Sequence, residues 1–271
     1  MLWTLLFLLV PYGLLLAYSF YRREFPTWER DFVFDNFAQI FEEEQYRTAL
    51  LRTTTVALAV AFSALLLAYP VAYFLAFRIR SNRLRALLFF GMIVPLWVSY
   101  LLRMYTWKTI LGSNGALNSF LVWVGLTDRP VEFLLFSRTA MIITLTYIFV
   151  PFVALSVFAQ LEKLPRSLPE AARDLGASPF SVFFTIVLPL SIPGVLAGAT
   201  IAFCLAFGDF IAAFLVGGPG DLLVANLVQT QFGAALNWPL GAALSMIILV
   251  VVVAVLTLAH RLDRLGNLDL D

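Results

Sequence analysis

The sequence predicts an all-α integral membrane protein, with residues 1–271 forming a single transmembrane domain of six helices. Two observations carry that prediction. Of the 271 residues, 61% are hydrophobic and only 13% charged, about half the ~25% charged fraction of a soluble domain. The charges are also clustered, which leaves uncharged runs near the ~20 residues that a helix needs to cross a bilayer. The same composition excludes other classes. One cysteine, Cys204, allows no intramolecular disulfide, and one histidine, His260, leaves no cluster for a metal site. A net charge of +1 speaks against a nucleic-acid partner.

The spans follow from the gaps between charges. Residues 1–21 carry none. No Lys or Arg precedes this run, and it is longer than the about 7 to 15 apolar residues of a signal peptide, so it reads as an uncleaved first span. Residues 53–77, between Arg52 and Arg78, form the second. Ala86 opens a shorter run closed by Arg103, and the third span is placed at 86–110. Residues 139–161, between Arg138 and Glu162, form the fourth. The run Leu175–Gly208 exceeds one span, so residues 162–191 are assigned to a loop and 192–216 to the fifth. Leu222–Ala259 is also too long. Asn226, Gln229, Gln231, Asn237 and Pro239 break its first half and leave 240–260 as the sixth. A further uncharged stretch, Thr109–Thr127, gathers Gly112, Ser113, Asn114, Gly115, Asn118 and Ser119 at one end. Lipid would leave those polar groups unsatisfied, so the stretch reads as a turn and a short interfacial helix.

Loop charges set the orientation. Residues 78–85 hold four arginines, whereas 217–239 hold neither Lys nor Arg. The excess of basic residues in cytoplasmic loops puts the first loop inside, together with both termini and the 162–191 loop. The loop 22–52 runs counter to this, with five arginines beside seven carboxylates. The two cleaner loops decide.

The 162–191 loop is well punctuated. Ser167-Leu168-Pro169-Glu170 matches a capping box, in which serine and glutamate side chains each satisfy a free backbone N–H. Proline is tolerated in a first helical turn, and Gly176 suits the left-handed residue beyond a helix end. Ser178-Pro179 reads as a second cap opening a helix over Phe180–Leu188, with Pro189 and Pro193 breaking the chain before the membrane. Two short cytoplasmic helices joined by a tight corner are expected.

Residues 170–179, EAARDLGASP, followed by Ile186, Leu188-Pro189 and Pro193-Gly194, strongly resemble the EAA loop in permease subunits of ATP-binding cassette (ABC) importers. RMYTWKTILGSNGALN (103–118), LAFGDF (205–210), GGPGDLLVANLVQTQF (217–232) and NWPLGAALS (237–245) are similar to permeases of the spermidine/putrescine importers. Arg103-Met104-Tyr105 departs slightly from the Arg-Thr-Tyr usual there. The resemblance implies a type I ABC importer permease fold in a bacterial cytoplasmic membrane, without a catalytic site or a cofactor of its own. ATP and Mg would bind to partner ATPase subunits, a second permease would complete the pore, and an extracytoplasmic substrate-binding protein would deliver a polyamine. Consistently, GGPGD at 217–221 is followed by no Lys and does not make a phosphate loop.

By the same resemblance, Glu170, Ala171, Ala172, Asp174, Leu175 and Gly176 form the coupling helix that docks in a groove of the ATPase. Small alanine side chains let such a helix lie deep, and Glu170 would serve both as cap and as surface partner. The substrate path is read from Asp209, Arg103, Tyr105 and Trp107. An ionisable group inside a span faces the protein interior and marks function. Asp209 could meet an amine cation, pair with Arg103, or cap a backbone break beside Gly208. Arg103, Tyr105 and Trp107 suit either an interface anchor or cation–π contact with an amine. Two other classes of membrane protein make different demands. A secondary transporter or channel commonly shows inverted repeats and several buried ionisable groups, and a membrane enzyme needs a catalytic constellation. The spans carry neither pattern.

Overall fold

The structure, a computed structural model of the chain, describes residues 3, 5–24, 27–79 and 81–268. It is helical nearly throughout. Helix α1 (Leu5–Tyr18) leads to a hairpin of β1 (Arg22–Glu24) and β2 (Thr27–Glu29), antiparallel with Arg23 opposite Trp28. Helix α2 (Asp35–Glu42) follows, then α3 (Glu44–Arg78), α4 (Asn82–Trp97), α5 (Tyr100–Leu111) and α6 (Ala116–Trp123). The second half holds α7 (Arg138–Leu161), α8 (Ser167–Asp174), α9 (Pro179–Phe207), α10 (Ile211–Val216), α11 (Val224–Phe232) and α12 (Trp238–Leu268).

Helices α3, α7 and α9 pack on one another and form the centre, with α12 against α9 and α1 against α12. Close packing comes from small residues rather than large ones. On α3, Ala57, Ala61, Ala64, Ala68 and Ala72 are all buried, at three- and four-residue spacing that puts them on one face. On α9, Gly194 and Gly198 meet α7: a Cβ on Gly194 would fall 2.9 Å from the Ser156 carbonyl oxygen, and one on Gly198 would fall 3.1 Å from Val153 Cγ1. Helices in lipid gain little from excluding water from each other, so backbone approach through small residues supplies the packing.

Among the described residues four helices, α3, α7, α9 and α12, are long and apolar enough to cross a membrane. The expected span 86–110 is bent instead. Helix α4 and the stretch Tyr100–Trp123, which holds α5 and α6, meet at 92°, so they form either one broken span or a re-entrant segment. Pro95 lacks an N–H and crowds the preceding turn. The helix tightens to a 3-10 turn over Val94–Trp97, and Val98 turns extended. The expected first span corresponds to α1, a five-residue wide turn followed by nine α-helical residues. Residues 1, 2 and 4 of that expected span lie outside the described residues.

The fifth span also differs. No break occurs at Pro189 or Pro193: α9 runs unbroken from Pro179, so the second cytoplasmic helix expected over Phe180–Leu188 is the start of the long helix. A π turn over Phe183–Val187 widens the ladder just before Pro189, where the proline ring would otherwise crowd a carbonyl. The helix then ends at Phe207, and the expected stretch to residue 216 becomes the separate α10.

The stretch 109–127 follows expectation as a turn and the short helix α6. Asn118 is 1% exposed. It donates to Gly112 O at 3.0 Å and accepts from Val131 N at 2.7 Å, which satisfies a group that lipid could not.

Candidate functional site

The 162–191 loop begins with a tether. Arg166 donates from Nη2 to the Ala76 carbonyl at 3.0 Å, fixing the loop to the end of α3. Arg166 itself occupies the N-cap of α8, and no side chain caps this helix. The predicted Ser167–Glu170 capping box is therefore absent, because Ser167 is already the first helical residue and cannot reach forward as a cap. Glu170 is left exposed.

The other end of α8 fits expectation closely. Gly176 has φ of +87°. Its N–H donates to Arg173 O at 2.9 Å, and Ala177 N–H donates to Ala172 O at 3.0 Å. These are the two bonds of a Schellman motif. A Cβ on Gly176 would meet nothing within 4 Å, so backbone conformation, not space, requires glycine here. Ser178 then caps α9, with Oγ accepting from Ser181 N at 3.1 Å.

The outer surface of this corner is apolar at several points: Leu175 is 89% exposed and Phe180 73%. Ala171 is exposed, whereas Ala172 is half-buried against the chain's own core. Of the two alanines, only Ala171 faces outward freely. Asp174 is exposed.

A second constellation lies at the break between α9 and α10. Asp209 is 8% exposed. Its Oδ1 accepts from Ala212 N at 2.7 Å, capping α10, and its Oδ2 accepts from the Tyr100 hydroxyl. Asn226 supports the same break, donating to Phe210 O at 2.8 Å. Among the described residues Asp209 makes no ion pair with Arg103. Both line one cavity of about 260 Å³, together with Tyr100, Phe149, Phe152 and Phe210. Of the alternatives for Asp209, the backbone cap is realised and the Arg103 pair is not.

The remaining path residues divide. Trp107 and Arg103 line an adjoining cavity of about 300 Å³. The Trp107 ring lies 5.1 Å from that of Tyr147. Tyr105 is 53% exposed and lines neither cavity. Tyr100 escaped the sequence reading, because nothing in an apolar run marks one tyrosine as the partner of a carboxylate 109 positions away.

The opposite end of the bundle carries an ion cluster. Asp221 Oδ1 lies 2.6 Å from Arg138 Nε and 3.8 Å from Arg52 Nε. The loop without cations of its own thus draws them from the third turn of α3 and the start of α7.

Residues 64–264 match the family described as binding-protein-dependent transport system inner membrane component. The chain belongs to this family. It is 38% identical over 266 residues to the spermidine/putrescine transport system permease protein PotB of Salmonella typhimurium, covering 98% of this chain and 91% of that protein. Identity to the Escherichia coli PotB is 37%, covering 98% and 95%. The fold matches the crystal structure of a bacterial ABC transporter involved in alginate import, with a TM-score of 0.73 and 21% identity over 97% of this chain and 91% of that one. This permease therefore has the type I ABC importer fold and is a multi-pass inner-membrane protein. That fold also serves an acidic polysaccharide in the alginate importer, so it does not by itself set the substrate.

Proposed function

We propose that this permease carries a polyamine such as spermidine or putrescine into the cytoplasm, by alternating access driven from partner ATPases. The observation that carries the substrate is whole-length similarity to PotB: 98% of this chain aligns, including both the EAA loop and the Asp209 region. The chain would supply half of the pore, a second permease the other half, and a binding protein outside would deliver substrate. ATP and Mg belong to the ATPases, and this chain carries no catalysis.

Residues 162–191 and both termini are assigned to the cytoplasm. Glu170, Ala171, Asp174, Leu175 and Gly176 form the surface offered to the ATPase, with Ala172 holding α8 to the bundle. Asp209 lines the path from the 260 Å³ cavity. The Asp209 carboxylate beside Tyr100, Phe149 and Phe152 offers an ammonium group a negative charge and aromatic faces, although the Arg103 guanidinium on the same cavity offsets part of that charge.

The test is uptake of labelled spermidine and putrescine by cells that lack their own polyamine importers and express this permease with the subunits from its own gene neighbourhood. Saturable, ATP-dependent accumulation is expected. Absence of uptake, with transport of another solute delivered by the same binding protein, would overturn the substrate assignment and leave the permease assignment intact.

A further inference from the structure

Between α8 and the end of α3 lies a cavity of about 230 Å³ lined by Tyr73, Phe77, Arg78, Arg166, Glu170 and Arg173, together with the buried Pro169 and Val187. Three guanidinium groups and one carboxylate leave it with an excess of two positive charges. Among the described residues none of the four forms an ion pair. Arg166 spends one N–H on Ala76 O and keeps others free, since a guanidinium has five donors. All three arginines and Glu170 are exposed, so water screens their repulsion, and what the cavity offers an anion is a set of guanidinium donors that no acid occupies.

The position narrows the anion. Arg78 ends α3, one of the long apolar helices; Phe77 directly precedes it, and Tyr73 lies a little over one turn back. Aromatic rings and arginines at the end of a span sit at headgroup depth. Basic pockets between helices at the cytoplasmic surface are the sites that take phosphate headgroups, and the arginine fork matches phosphate oxygens in pairs.

We propose that this cavity binds a phosphate-bearing anion, in the form of an anionic phospholipid headgroup from the adjoining leaflet. The site would tie lipid composition to α8, because Glu170 and Arg173 belong to both. This rests on reading residues 162–191 as cytoplasmic and as the ATPase-facing loop.

The test uses the complete importer, purified in mild detergent from membranes containing phosphatidylglycerol, with retained lipid identified by native mass spectrometry. The wild type is expected to keep phosphatidylglycerol in preference to phosphatidylcholine. The double variant Arg78→Gln with Arg173→Gln should bind it at least about tenfold more weakly, the loss of roughly one charge-assisted hydrogen bond. Arg173→Lys, which keeps the charge, should retain more than Arg173→Gln and guards against simple misfolding. Added inorganic phosphate tells the sources apart: no displacement of lipid supports the headgroup, and displacement by phosphate supports a site for the free ion. Equal phosphatidylglycerol retention by wild type and double variant would overturn the proposal. So would retention that depends on removing the ATPase, which would assign the arginines to an acidic side chain of that partner. Labelling of a cysteine at residue 171 from outside intact cells would instead sink the topology on which it rests, independently of the lipid count.

Discussion

Gly194 on α9 lies directly against Gln160 on α7, so closely that a Cβ on Gly194 would sit 2.6 Å from the Cβ of Gln160. The same glutamine donates from Nε2 to Leu190 O at 3.2 Å. Contact and hydrogen bond together lock the two central helices at the loop end of the bundle. Replacing Gly194 with Ala should destabilise the purified protein by about 1–3 kcal/mol, the usual cost of overpacking, and Gly194→Leu should prevent its accumulation. Thermal unfolding in detergent measures both, and a stability equal to wild type would show that α9 can shift away from α7.

Gly176 makes a different prediction, because its constraint is conformational. With φ of +87° and open space around it, the size of a replacement side chain matters less than its tolerance for the left-handed region. Gly176→Asn should retain more ATP-driven uptake than Gly176→Ala, and Gly176→Val least, since a left-handed conformation costs an ordinary residue about 1–2 kcal/mol and β-branched residues more. Uptake that tracked side-chain volume instead would point to a groove that closes over the glycine.

Asp209 combines a structural bond with a charge, and the two can be separated. Asparagine keeps an oxygen that can accept from Ala212 N–H and gains an amide N–H that can donate to the Tyr100 oxygen, so Asp209→Asn should leave thermal stability near wild type while lowering uptake of a cationic amine about tenfold. Asp209→Ala should lose both, costing about 1 kcal/mol for the cap and leaving the Tyr100 hydroxyl without its partner. Unchanged uptake by Asp209→Asn would confine the carboxylate to capping α10.

The ion cluster at the other end predicts an asymmetry. The Arg138 side chain is 57% exposed, whereas those of Arg52 and Asp221 are only 13% and 16% exposed. Removing Arg138 should cost less than about 1 kcal/mol, as for other solvated pairs. Asp221→Ala should cost more, because it leaves the partly buried Arg52 uncompensated. Equal losses in thermal unfolding would mean that the hydrogen bond from Arg52 Nη1 to Leu222 O, 2.9 Å, and water suffice for the guanidinium without the carboxylate.

Cysteine crosslinking can identify which face of α8 meets the ATPase. In a background lacking Cys204, a cysteine at Ala171 should crosslink to the ATPase readily and one at Ala172 poorly, because Ala172 faces the chain's own core. Stronger crosslinking at Ala172 would require α8 to roll on binding.

Membrane residence, the long apolar helices and the corner at Gly176 could all be read from the chain, because each depends on local quantities. An uncharged run of span length, an arginine-rich loop and a glycine after a short helix mean the same in nearly any surroundings. Local signals failed where neighbours intervened. Pro189 and Pro193 read as a break, yet α9 passes through both, helped by the π turn before Pro189 and held against α7 by Gly194 and Gly198. Ser167-Leu168-Pro169-Glu170 read as a capping box, yet the tether from Arg166 to Ala76 O accompanies a helix that starts one residue too early for it.

The sequence by itself determined that this protein lives in a membrane, that it is helical, and that one polar loop stands apart, since hydrophobicity and charge act residue by residue. Only the tertiary structure decided that Asp209 meets Tyr100 rather than Arg103, that Ala172 faces inward while Ala171 faces out, and that three arginines from two elements share one cavity. Those outcomes depend on distances between residues far apart in the chain, and such distances exist only once the helices have packed.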